Sequence, residues 1–210
     1  MLLLGIDEAG KGPVIGSMFV AGLVIDEEKL FDLAAFGVRD SKQLTSAKRE
    51  VLARKITGIA TDQYILEVKP HIIDELRLVM TMNEIMVRSF AQVLARLQAD
   101  RAFLDAADVD ASRFGERVRS ESKTSMEIIS EHKADERHKV VSGASILAKV
   151  RRDACMRELE SCLSCRIGSG YPHDPDTIEF LKTWVKQNRD LPSCARHSWA
   201  TAERIKASFI

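Results

Sequence analysis

Residues 5 to 16 spell GIDEAGKGPVIG, and this stretch carries most of the chemistry in the chain. An apolar run, Leu2-Leu3-Leu4-Gly5-Ile6, meets two adjacent carboxylates, Asp7 and Glu8, and then a glycine-flanked lysine, Gly10-Lys11-Gly12. A carboxylate at the end of a buried strand requires a partner or a cation, because an isolated buried charge is very costly. Asp105 closes the run RAFLDA in the same way, and Asp135 follows a third apolar segment in EHKADE. If the strands ending at Asp7 and Asp105 lie side by side and parallel, both carboxylates emerge at one edge, the edge where α/β proteins place their sites. Such groups repel and raise one another's pKa. A hard divalent cation relieves this, because carboxylate and water oxygens are its preferred ligands. Two cations clamping the attacking and leaving oxygens of a phosphodiester are a common use of such a cluster.

A nucleotide-binding reading competes for the same stretch. Gly5 to Gly12 gives G-x-x-x-x-G-K-G, close to the phosphate loop G-x-x-x-x-G-K-[ST]. Gly12 stands where a hydroxyl must hold magnesium, Asp7 and Glu8 would repel phosphates, and Pro13 with its apolar sequel opens a strand instead of a helix. The dinucleotide pattern G-x-G-x-x-G also fails, since Gly16 comes one position late. The carboxylate reading is therefore preferred, with Gly10-Lys11-Gly12 as a backbone surface for a nucleic-acid strand.

The elements that must position these groups follow from periodicity. Strands are expected at Leu2–Asp7, within Val14–Ile25, at about Gln63–Lys69, at Ala102–Asp105 and at Met126–Glu131. Helices are expected after Thr45 or Ser46, through Ile85–Leu97, from Lys139 to about Leu159, after the cap-and-proline pair Asp174-Pro175, and after Ser198. The first two strands can pair as a meander, and helices between the later strands imply parallel pairing. The expected fold is α/β: a mixed five-stranded sheet flanked by helices, with a catalytic part at 1–160 and a C-terminal helical extension at 161–210.

Composition narrows the function classes. The 210 residues hold 31 basic and 31 acidic side chains and are 45% hydrophobic, which suits a single core-forming domain. Zero net charge excludes a histone-like binder but permits a local basic face. The longest apolar stretch, Pro13–Ile25, is too short to span a bilayer, and no basic leader precedes it; a cytoplasmic protein without membrane association is expected. Cys162 and Cys165 form a lone CxxC that His173 or Cys194 could complete as a zinc site, but reduced, packed thiols are the simpler reading.

Six blocks in order, GIDEAGKGPVIG, RDSKQL (39–44), FLDA (103–106), EHKADE (131–136), SGASILAKV (142–150) and GSGYPHDP (168–175), resemble ribonuclease HII, its archaeal branch in particular. The resemblance runs from residue 5 to about 200. It implies an RNase H-like fold, with hydrolysis of the RNA strand of RNA/DNA hybrids and incision 5′ to single ribonucleotides embedded in duplex DNA, leaving 3′-hydroxyl and 5′-phosphate ends. It implies Asp7, Glu8, Asp105 and Asp135 as catalytic ligands of Mg²⁺ or Mn²⁺. It assigns Gly10, Lys11 and Gly12 to sensing the 2′-hydroxyl and Tyr171 to packing on the sugar at the RNA–DNA junction. Lys42, Ser145 and Lys149 fall in blocks that contact the nucleic-acid backbone. Many relatives have arginine at position 11; main-chain contacts make that difference minor. His132 is expected to be structural, since imidazole suits Mg²⁺ poorly. The extra N-terminal domain of ribonuclease HIII is not expected, because the first strand starts at residue 2. The ending Ile205–Ile210 shows no glutamine-led clamp motif, so sliding-clamp binding stays open, and a monomer is expected.

Overall fold

β1 (Leu2–Ala9) is buried from Leu3 to Asp7 and lies at the centre of the sheet. The structure, a computed structural model, describes residues 1–38 and 44–209. β1 pairs antiparallel with β2 (Met18–Asp26), from Leu2 opposite Asp26 to Ala9 opposite Phe19. It pairs parallel with β4 (Arg101–Asp105), and β4 pairs parallel with β5 (Glu127–Glu131). With β3 (Asp62–Val68) beyond β2, the order among the described residues is β3-β2-β1-β4-β5. The expected meander and the expected parallel β1–β4 pair are both present.

Parallel neighbours need crossovers, and helices supply them. The intervals hold α1 (Leu30–Ala35), α2 (Ser46–Ile59), α3 (Pro70–Arg77), α4 (Met82–Leu94) and α5 (Ala111–Ser122). After β5 come α6 (Ala134–Arg137), α7 (Lys139–Leu163), α8 (Pro175–Asn188) and α9 (Ala200–Ala207). The caps follow the sequence: Thr45 Oγ1 accepts from Lys48 N, and the Asp174 carboxylate accepts from Asp176 N with Pro175 in the first turn.

Two sequence expectations change. β1 does not end at Asp7 but continues through Glu8 and Ala9, which pair with Val20 and Phe19, so Asp7 sits inside the ladder. The second strand fills only part of its expected window Val14–Ile25: β2 begins at Met18, and Val14 and Ile15 pack into a different core. α3 was not foreseen; its Pro70 occupies the first turn, where the missing N–H costs nothing.

The chain forms two compact units. The first comprises Met1–Ala9, Phe19–Leu66 and Met82–Arg151. One of its cores joins Leu3, Ala21, Leu23, Ile25 and Phe103 of the sheet to Leu33, Leu52 and Ile56 of α1 and α2 and to Val140, Val141, Ala144 and Ile146 of α7. Gly5 lets α7 approach: a methyl there would run into the Val140–Val141 backbone. On the opposite face Val93 and Leu97 pack against Gly22. The second unit comprises Gly10–Met18, Glu67–Thr81 and Arg152–Ile210. Its core gathers Val14, Ile15, Met156, Ile167, Phe180, Leu181, Val185 and Ala202. Among the described residues, no helix is long and apolar enough to cross a membrane.

Candidate active site

In the first unit, register brings two carboxylates together. Ile6 pairs with Leu104, so Asp7 and Asp105 are the next residues along adjacent parallel strands. Alternation places Asp7 on the face of Leu3 and Gly5, and Asp105 on that of Phe103, which is the α7 face. Asp7 is 5% exposed. Burial, then the negative charge of Asp105, pushes its pKa up to about 6, against the pull of hydrogen bonds from Ser145 and Glu8 N and the charge of Lys149. The Glu8 N–H donates to Asp7 Oδ1 at 2.7 Å.

α6 is tied to this edge. Lys133, with φ 58°, turns the chain out of β5, and the Ala134 N–H donates to Asp105 Oδ1 at 2.8 Å. Asp135, the next residue, is buried at 6% exposure, and its carbonyl accepts the Ser142 hydroxyl. Lys149 Nζ donates to Ser145 Oγ at 2.8 Å. Ser145 is fully buried, so its hydroxyl serves Asp7 and Lys149 and is turned away from solvent. Glu8, the next residue along β1, is half-buried. Among the described residues no three carboxylate, imidazole or thiol groups already close around one point, so the acidic set is open. The donor set nevertheless fits a hard divalent cation: all its side-chain ligands are carboxylates, and burial, with the charge of Asp105 beside it, raises the Asp7 carboxyl in a way a cation would relieve.

The neighbouring groups are accounted for. His132 lies exposed with Nε2 3.2 Å from Val109 O. His138 stacks on Phe103 at 4.3 Å and meets Glu131 Oε2 at 3.1 Å, and with Arg137 it holds the Glu131 carboxyl below its usual range. Neither histidine belongs to the acidic set. Lys42 lies outside the described residues.

The second unit holds the glycine loop and Tyr171 together. Gly10 has φ 89°, and a side chain there would press on Ser17 O at 2.9 Å. Only glycine takes that turn without strain. A methyl on exposed Gly12 would sit 3.7 Å from the Tyr171 ring, in ordinary contact. Tyr171 is half-buried, tilted against His173 at 5.6 Å, with the Arg152 guanidinium 5.0 Å from its ring centre. The turn before it is anchored by Asp174, whose Oδ2 accepts from both N and Oγ of Ser169 at 2.5 Å. The Ser169 hydroxyl, then its N–H, hold the Asp174 carboxyl down at about 2.

Arg196 is a residue that sequence reasoning missed. It is fully buried, and its guanidinium donates to the carbonyls of Gly10 at 2.5 Å, Lys11 at 2.9 Å and Gly16 at 2.9 and 3.1 Å. A lone arginine in CARHSW has no local pattern; its partners lie some 180 residues upstream. The zinc reading finds no support among the described residues: Cys162 and Cys165 are exposed, whereas Cys194 is buried, its thiol pushed up to about 11 by that burial.

Comparison with known proteins settles the family. The model of the ribonuclease HII family matches residues 4–202. The chain belongs to the ribonuclease HII family. A ribonuclease HII from Methanothrix thermoacetophila is 59% identical over 210 residues, covering both chains completely. The crystal structure of ribonuclease H2 from Pyrococcus horikoshii is 42% identical with a TM-score of 0.94, covering 100% of this chain and 99% of that one. A ribonuclease HII from Archaeoglobus fulgidus, solved in complex with PCNA, is 40% identical with a TM-score of 0.86, covering 95% of each chain. As a ribonuclease HII the protein has the RNase H-like fold and is a divalent-metal-dependent endoribonuclease of RNA/DNA hybrids.

Proposed function

We propose that the enzyme incises duplex DNA on the 5′ side of a lone ribonucleotide, as well as cutting continuous hybrids, and leaves 3′-hydroxyl and 5′-phosphate ends. The observation that carries this reading is the side-by-side placement of Asp7 and Asp105 on paired parallel strands, with Asp7 raised to about 6. Asp7, Glu8, Asp105 and Asp135 would hold two divalent cations, Mg²⁺ or Mn²⁺, which when bound supply Lewis-acid stabilisation of the attacking and leaving oxygens. Ser145 and Lys149 keep Asp7 ionised and oriented for that task, one by a hydrogen bond and one by charge. Lys42 and Lys149 are assigned to the phosphate-facing basic surface, since a chain of zero net charge must attract duplex locally.

Recognition is assigned to the second unit. The 2′-hydroxyl alone marks RNA on the sugar, so the discriminating groups must lie beside it. Gly10-Lys11-Gly12 offers main-chain groups with little side-chain bulk. Tyr171, close to Gly12, offers a flat face for a sugar that lacks its own 2′-hydroxyl. Together they specify a ribonucleotide followed by a deoxyribonucleotide. Residues 1–160 are proposed as the catalytic part and 161–210 as the helical extension, in a cytoplasmic monomer. The Archaeoglobus relative's complex with PCNA makes a sliding clamp a candidate partner.

The test uses a labelled duplex with one ribonucleotide and a continuous hybrid, each with Mg²⁺ and with chelator. The parent should cut both only with metal. Tyr171→Ala should lose about tenfold more rate on the single-ribonucleotide duplex than on the hybrid, the scale of one lost stacking contact. Equal losses on both would remove Tyr171 from junction recognition. No cut at a lone ribonucleotide would overturn the substrate assignment.

A further inference from the structure

Arg196 is the largest fully buried side chain of the described residues, and the carboxylate whose charge it feels is Asp74. Its partners are carbonyls. Besides Gly10, Lys11 and Gly16, the indole of Trp199, which lies 4.9 Å from the Arg196 guanidinium, donates to Gly12 O at 3.1 Å. The carbonyls of Gly10 and Lys11 are thus drawn inward by Arg196, and that of Gly12 is held at the surface by Trp199.

A trans peptide is planar, with its C=O and the following N–H pointing in opposite directions. No cis peptide interrupts the described chain. Drawing in the Gly10 and Lys11 carbonyls therefore turns the N–H groups of Lys11 and Gly12 outward. Pro13 follows Gly12 and has no N–H to present. The loop turns its Gly10 and Lys11 acceptors to Arg196 and its Lys11 and Gly12 donors to the opposite side. A fork of rigid geometry is needed to hold three carbonyls of one loop at once, and a guanidinium supplies it where an ammonium does not.

Arg196 is itself held from both sides. Its N–H donates to Val14 O at 2.8 Å, and the Asp74 carboxylate accepts from His197 N at 2.8 Å and from Ser198 N at 3.0 Å and Oγ at 2.6 Å. Burial, with Arg152 as a lesser cause, lowers its pKa only to about 10, so it stays charged at neutral pH.

We propose that Arg196, assisted by Trp199, is the positioning residue of the sugar-reading loop: by fixing the carbonyls of Gly10, Lys11 and Gly12 it aims the Lys11 and Gly12 N–H groups at the 2′-oxygen and so sets RNA-over-DNA selectivity. The proposal rests on the loop being the 2′-hydroxyl reader. Arg196 touches no reacting atom; it acts through the loop.

The experiment measures binding in an Asp7→Asn background, which prevents turnover, to a duplex carrying one ribonucleotide and to the same duplex in all-DNA form. The ratio of the two affinities is the readout, and thermal melting of each variant accompanies it. Gly12→Ala tests the loop itself, Arg196→Lys keeps the charge but loses the fork, and Trp199→Phe removes only the Gly12 bond. Arg196→Lys should lower the ratio about tenfold, the worth of one well-made hydrogen bond, with affinity for the all-DNA duplex unchanged. Trp199→Phe should lower it about threefold, a check that stands even if Arg196→Lys melts early. If Gly12→Ala lowers the ratio while Arg196→Lys and Trp199→Phe keep the parent value, the positioning role is overturned. If Gly12→Ala also keeps the parent value, the loop is not the reader and both readings fall.

Discussion

The two units treat buried charge in opposite ways. At the carboxylate edge of β1 and β4, like charges are crowded into the interior and Asp7 resists ionising. At the glycine loop a buried cation, Arg196, is surrounded by carbonyl acceptors. The first region is short of positive charge, whereas the second carries its own cation. A site for exchangeable metal must be under-compensated in the free protein, or the metal would gain little by binding. A site that only shapes a backbone must be fully compensated, because any slack is lost selectivity.

The contrast is broken most directly at the metal edge. Asp7→Asn or Asp105→Asn should lower the cleavage rate by a factor of about 1,000 or more with the fold retained, because each removes a ligand oxygen's charge where transition-state charge develops. Near-parental turnover in Mg²⁺ would remove that residue from the set.

Stability without metal should move in opposite directions in the two regions. Arg196→Met leaves the carbonyls it held without partners and should cost about 3–5 kcal/mol. Asp7→Asn removes a buried charge and should leave melting unchanged or raised. Chemical denaturation of both variants in chelator decides this, and a loss for Asp7→Asn as large as that for Arg196→Met would erase the distinction.

Protons offer a finer test. Asp7 titrates higher in the fold than in the unfolded chain, so the folded protein holds the proton more tightly. This group's contribution to metal-free stability is full below about pH 4 and is lost as pH rises through about 6. Asp7→Asn should therefore exceed the parent most at pH 7.5 and converge on it below pH 4. A constant offset across that range would place the shift elsewhere. The smallest effect belongs to Lys149→Met. Losing its charge should move the acid limb of the pH–activity profile upward by less than about one unit, and an unmoved limb would show that Lys149 does not act on Asp7.

The pairing of Asp7 with Asp105 was legible in the sequence because its signal is local: an apolar run stopped by an acid occurs at Asp7 and again at Asp105, and strand pairing does the rest. The Asp174-Pro175 start of α8 was legible for the same reason. What escaped was non-local. Arg196 owes its role to carbonyls far upstream, and nothing near it announces burial. Val14 and Ile15 looked continuous with β2 because hydrophobicity does not say which core a side chain enters. Glu8 and Ala9 extend β1 because their partners Val20 and Phe19 are strong strand residues, a fact invisible from β1 alone. With φ 89° and Ser17 O so near, a side chain at Gly10 disturbs folding as much as recognition, and Gly12 is the gentler probe.

The central place of β1 has a consequence for how the chain is made. β1 and β2 are neighbours in sequence and can form a hairpin as soon as both have left the ribosome. The other edge of β1, Leu3 to Ile6, pairs with Arg101 to Leu104 and must wait until β4 is synthesised. At about 5–20 residues per second that is several seconds with an apolar, hydrogen-bond-hungry edge unpaired on the nascent chain. The strand that carries Asp7 thus emerges well before it can be enclosed, and expression at high synthesis rate should expose it to aggregation before it can act as an enzyme.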